Sequence, residues 1–146
     1  MRAPPVILFA ASLIGATAVL AHQGVQNPAV KARMDAMVVI SDNTKVLGTM
    51  AKGERAFDPL AARDAAQMIA TTAMDVPGLF EAPEADPKSE ALPAIWEDFG
   101  DFVAKTQDMA AAAQAASTSI ETMADLQLAL SSIGGTCKAC HELYRE

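Results

Sequence analysis

The chain has 146 residues, a formal net charge of −7 at pH 7 and a composition that is 51% hydrophobic. That is material for one domain of ordinary size with a core of its own. The acidity, with no basic run and no low-complexity segment, argues against nucleic acid or an anionic membrane surface as partner.

The first element is an address. Met1-Arg2 is followed by an apolar run over residues 6–20, then Ala21 and the polar His22-Gln23. One positive charge, a short apolar stretch and a Val19-Leu20-Ala21 end fit a secretory signal peptide, residues 1–21, cleaved after Ala21. The run is short for a membrane span, which needs about 20 apolar residues; length alone does not separate a cleaved signal from an uncleaved N-terminal anchor. The domain expected after it runs over 22–146. Loss of Arg2 with the leader makes that domain one charge more negative. His22, the expected new N-terminal residue, could bind a stray metal, but a disordered terminus is the reading preferred.

Four helices are predicted in this domain. Asn27-Pro28 reads as a cap followed by proline at the first helical position. Over residues 28–51, Val30, Met34, Met37, Ile40 or Ser41, Thr44, Leu47 and Ala51 recur at threes and fours. Asp58-Pro59 repeats the start signal, and a second stripe of Ala61, Ala65, Met68, Ile69, Thr72 and Val76 runs to a stop at Pro77-Gly78. Residues 79–92 carry Pro83, Pro87 and several acids without periodicity, a long loop pinned by Phe80. Leu92-Pro93 opens a third helix with Ile95, Phe99, Phe102, Val103, Thr106, Ala110 and Ala113 inward, broken at Ser117-Thr118-Ser119. Trp96 and the phenylalanines read as packing rather than as an electron relay. Thr122 with Asp125 starts the last helix in a looser form of the capping box. Its stripe is Leu126, Leu130, Ile133, Cys137, Cys140 or His141, and Tyr144. Gly134-Gly135 interrupts this helix at about 1 kcal/mol each relative to alanine, and is expected to admit a cofactor face or a neighbouring helix close to the backbone. With no strand-rich run, the fold is an all-α, antiparallel four-helix bundle carrying its cofactor between facing helices.

The chemistry is concentrated in Cys137-Lys138-Ala139-Cys140-His141. Two cysteines three apart, followed at once by histidine, form the attachment signature of a c-type haem. Residues three apart share a helical face, so both thiols reach the vinyl groups along one haem edge. The imidazole of His141 is then placed to ligate iron. A thioredoxin-like redox pair needs a βαβ context that is missing. A closed zinc site wants four ligands, and the chain offers two cysteines with its other histidine, His22, far off. One covalent haem c with its iron is therefore the expected cofactor. Its attachment outside the cytoplasm agrees with the leader.

At these residues the chain resembles the class II c-type cytochromes, the cytochrome c' family, which carry the haem motif on the last helix. The likeness rests on the run over 134–145, on Leu47-Gly48 with Ala51-Lys52-Gly53-Glu54, and on Leu92-Pro93-Ala94-Ile95-Trp96-Glu97. The resemblance implies thioethers at Cys137 and Cys140 and a proximal His141. It implies a distal residue on the first helix four after an arginine, the place of Met37 after Arg33. In one subgroup that residue is methionine and ligates iron, giving a six-coordinate, low-spin centre, which Met37 resembles. From the residues alone Met37 is equally a core filler, one of eight methionines, with Met34 and Met68 also near a bundle core. Arg33 is expected near the haem propionates, offsetting their charge, or as a solvated helix-face residue. Arg145 matches a family arginine on the proximal side, or stabilises a helix C-terminus. The resemblance thus implies a soluble periplasmic electron-transfer protein, not an enzyme, serving periplasmic redox partner proteins, with no membrane span once the leader is gone. Members are often homodimers through the first two helices, where no decisive interface signal stands here. The alternative is a five-coordinate cytochrome c' binding nitric oxide.

Overall fold

The computed structural model describes residues 24–146; the expected signal peptide, residues 1–21, and His22 lie outside the described residues. Five helices follow in order: α1 (Pro28–Ala51), α2 (Pro59–Leu79), α3 (Ala94–Glu97), α4 (Phe99–Ser119) and α5 (Met123–Tyr144). The four long ones form the antiparallel bundle, and among the described residues the only extended pairing is an isolated bridge between Ala91 and Arg145.

Local chemistry sets the helix starts. Asn27 accepts from the amides of Ala29 and Val30 ahead of Pro28, and Asp58 accepts from Leu60 and Ala61 ahead of Pro59. Each carboxamide or carboxylate satisfies amides that the first turn leaves without partners. Thr122 and Asp125 form a complete capping box, with Thr122 accepting from the Asp125 amide and Asp125 from the Thr122 amide, tighter than the looser form expected. At the other end of α1, Gly53 takes φ +73°. Its amide and that of Glu54 donate to Met50 and Thr49, the paired bonds by which a left-handed glycine closes a helix.

Four expectations are corrected. Helix α2 runs through Pro77-Gly78 to Leu79, because a proline in the last turn removes few ladder bonds. The expected third helix is two: a single turn, α3, ends at Asp98, whose side chain then caps α4 by accepting from Asp101. The Ser117-Thr118-Ser119 break comes only at its last residue. The Ser117 and Thr118 hydroxyls donate back to Gln114 and Ala115 carbonyls, and α4 continues to Ser119. Met68, placed near the core by periodicity, is 49% exposed.

That last shift has a packing cause. The buried face of α2 is Ala62, Ala65, Ala66, Ile69, Ala70, Ala73 and Val76, against Ala110, Ala113 and Ala116 of α4. Small side chains let the two backbones approach closely, and the long Met68 is turned outward. Helix α2 packs along α1 and α4, and α4 along α5, whereas α1 and α5 touch only sparingly. An aromatic group closes one end of the core: Phe80 lies 4.9 Å from Phe102, and Tyr144 meets Phe102 edge-on at 5.5 Å.

Candidate functional site

The sparse contact between α1 and α5 leaves a cleft of about 810 Å³ between them. Helix α1 presents two stripes. Leu47 and Met50 are buried in the bundle away from the cleft, while Met34, Met37, Ser41, Thr44 and Gly48, with the buried Val30 and Ile40, line it. Helix α5 contributes Cys137, Cys140, His141 and Tyr144. The bundle thus brings Met37 into the same cavity as the motif, from a different helix. Phe102, Thr106 and Met109 of α4 also line it.

The motif residues differ in setting. Cys137 and Cys140 are half-buried and free, and Cys137 Sγ lies 4.0 Å from Met109 Sδ. Burial pushes both thiols up, and at Cys140 the nearby Lys105 opposes this. His141 stands at the open side of the cleft. Partial desolvation, then the Arg145 cation, hold its imidazole below the usual value, with Glu90 opposing. The ring is accordingly neutral at pH 7, the form that ligates metals.

The two arginines are tied to the protein. Arg33 is 3% exposed, and its Nε and Nη1 donate to the carbonyls of Leu79 and Glu84 at 2.9 and 2.8 Å, with Nη2 donating to Ala82. The guanidinium carbon lies 4.6 Å from the Phe80 ring centre and 5.3 Å from that of Trp96. Trp96 Nε1 donates to the Phe80 carbonyl at 2.7 Å, so Trp96 packs as expected and Phe80 does pin the loop. Arg33 lines the cleft, but of its five N–H groups two serve the loop and a third the last carbonyl of α2. Arg145 is exposed and donates through Nε to Glu90 Oε2 at 2.6 Å.

Several cleft residues escaped the sequence. Lys105 and Met109 follow Phe102 on one stripe of α4 and were within reach of periodicity. Ser89, Glu90 and Ala91 come from an aperiodic loop that carries no signal. Gly48 lines the cleft, and a methyl group on it would meet nothing within 4 Å, so no protein atom demands glycine there. The same holds at Gly134 and Gly135, which no neighbouring helix approaches, correcting half of the expectation for that pair.

A haem suits this set. The cavity is within the usual range for ligand sites, about 300–1,000 Å³. Its walls are largely apolar, and two thiols and an imidazole enter from successive turns of one helix. Among the described residues no group of three or more His, Cys, Asp or Glu is arranged to hold a bare metal ion. None of their helices is long and apolar enough to cross a membrane.

Residues 28–145 match the family described as Cytochrome C'. The chain is 34% identical over 117 residues to cytochrome c-556 of Agrobacterium fabrum, covering 80% of each. Among solved structures it is similar to cytochrome c' from Rhodopseudomonas palustris, with a TM-score of 0.77, 32% identity, and coverage of 83% of this chain and 98% of that one. An NMR-validated structural model of oxidised R. palustris cytochrome c556 gives 0.76, again with 32% identity and 83% and 98% coverage.

Proposed function

This chain belongs to the cytochrome c' family, and we propose that within it the protein is a periplasmic electron carrier whose iron is held by His141 and Met37. Members carry haem c covalently, and the two cysteines here supply its attachment points. The family comprises electron carriers and gas binders, and proteins of this kind in these bacteria are typically periplasmic. The bound haem would supply reversible one-electron transfer at iron.

The chain's own residues do the rest. Cys137 and Cys140 anchor the group by thioethers, and the neutral imidazole of His141 is available as proximal ligand. The thioether of Met37 enters from α1, a ligand that raises the potential relative to bis-histidine coordination. The apolar lining excludes water, and the rigid bundle limits rearrangement between oxidation states. Arg33 would act at the cofactor edge as a buried positive charge, and Arg145 beside the proximal ligand. One observation carries this reading: Met37, like Met34 on the same helix, lines the same cleft as Cys137, Cys140 and His141 on α5.

Periplasmic redox proteins are the partners this implies. A homodimer, as members often form, is supported by the exposed Val39 of α1 and Leu60, Met68 and Met74 of α2. A second reading, a gas-binding cytochrome, draws on the apolar α1 wall around Met37, where Met34, Val38 and Ile40 would shelter a small diatomic ligand.

The test is the absorption spectrum of the haem-loaded protein, oxidised and dithionite-reduced, with and without carbon monoxide. The expected result is a low-spin spectrum unmoved by carbon monoxide, converted in Met37→Ala to a high-spin spectrum that shifts on adding it. An unchanged spectrum in Met37→Ala removes Met37 as ligand. A high-spin wild type puts the gas-binding reading in its place.

A further inference from the structure

The segment 80–92 between α2 and α3 is held from two sides. On one side, Arg33 of α1 grips the carbonyls of Ala82 and Glu84, and that of Leu79 at the end of α2, and lies against Phe80 and Trp96. The same end of α1 adds further bonds, from the Gln26 and Asn27 amides to Asp86 Oδ2 at 2.8 and 3.0 Å. On the other side, the segment is zipped to the end of α5. The Leu92 amide donates to the Tyr144 carbonyl at 3.0 Å, and the Glu146 amide to the Glu90 carbonyl at 2.9 Å. The Glu90 carboxylate accepts from Arg145.

The register of these clasps is informative. Arg33 lies one helical turn before Met37, and Arg145 one turn after His141, each pair four residues apart and so close in space. The two helices that carry Met37 and His141 touch only sparingly, so direct packing does little to set their separation. The segment bridges them at this end, and its Ser89, Glu90 and Ala91 wall the cleft.

We infer that segment 80–92 is a tie that fixes the width of the cleft. In this reading Arg33 and the Glu90–Arg145 pair are positioning residues that hold Met37 and His141 at a constant separation. Neither arginine needs to touch the cofactor for this. The inference rests on both Met37 and His141 facing the haem iron. It accounts for a buried guanidinium bonded to loop carbonyls, and for the backbone bridge between Ala91 and Arg145 next to the haem motif.

The experiment measures carbon monoxide association to the reduced holoprotein by rapid mixing, with the low-spin fraction read on the same samples. Glu90→Gln and Arg145→Gln are surface changes that leave the core intact. Each is expected to raise the association rate about two- to fivefold, the bias an exposed ion pair can exert on a two-state opening. Arg33→Lys should exceed that. The charge swap combining Glu90→Arg with Arg145→Glu should return the rate towards wild type, and Arg63→Gln, which breaks the pair with Glu121 far along the chain, should leave it unchanged. Rates in Glu90→Gln and Arg145→Gln equal to wild type overturn the tie, as does a swap that rescues nothing. A high-spin wild type instead removes the Met37 ligation; the tie then stands or falls on the same ratio of variant to wild-type rates.

Discussion

Arg33 shows how a charged side chain can be buried at tolerable cost. Removal from water lowers its pKa, and the Glu84 carboxylate opposes that shift. Carbonyl acceptors and two aromatic faces compensate for the lost hydration. Tyr144 is the second buried polar group at this end. Its hydroxyl donates to Asp101 Oδ2 at 2.7 Å, and that bond pushes its pKa up to about 12. The sign follows from the neutral phenol being the bonded form. In the unfolded chain tyrosine titrates near pH 10, so the bond's contribution is complete below about pH 10 and is lost as the pH rises towards about 12. Tyr144→Phe should therefore cost about 1 kcal/mol at neutral pH, with a smaller further loss on alkalinisation than wild type. Urea midpoints across neutral and alkaline pH check this; parallel curves would mean that the hydroxyl bond is unimportant.

Among the elements, the helix starts were the most legible feature. Asn27-Pro28, Asp58-Pro59 and Thr122 with Asp125 are local signals, each needing only a side-chain acceptor and nearby amides. Thr122→Ala should destabilise the protein by about 1 kcal/mol without altering the haem spectrum, measured by denaturant unfolding alongside absorption. A spectral change would mean that the start of α5 helps place the motif at its other end. The element errors share a cause. Asp98, Pro77 and Ser117 each read as a stop or as silent from composition, whereas continuation depends on whether a freed backbone group finds another partner. The Ser117 hydroxyl folds back onto the preceding turn. Asp98 instead starts a new helix, a choice imposed by where α3 must lie to bury Ile95.

For the whole molecule, the cleft between α1 and α5 sets how stability depends on the cofactor. The cleft of about 810 Å³ has largely apolar walls, and covering them with a bound cofactor removes apolar surface from water and stabilises the fold. The double substitution Cys137→Ala and Cys140→Ala, which in the proposed reading removes covalent attachment, should give a protein that melts several degrees lower and less cooperatively than the holoprotein, followed by circular dichroism. Equal melting of the two forms would show that covalent attachment at these cysteines adds nothing to stability.

The sequence by itself determined the bundle, the helix starts and the haem motif, because capping, periodicity and the Cys137–Cys140–His141 spacing are all short-range. It also pointed to Met37, though only through likeness to a family, since one methionine among eight has no local mark of a ligand. The tertiary structure decided which stripe of α1 faces the cleft, what Arg33 bonds to, and that Glu90 stands beside Arg145 across 55 residues of chain. Those outcomes depend on how closely alanine-lined helices approach and on which backbone carbonyls an aperiodic loop leaves open. Neither is written in any window of neighbouring residues.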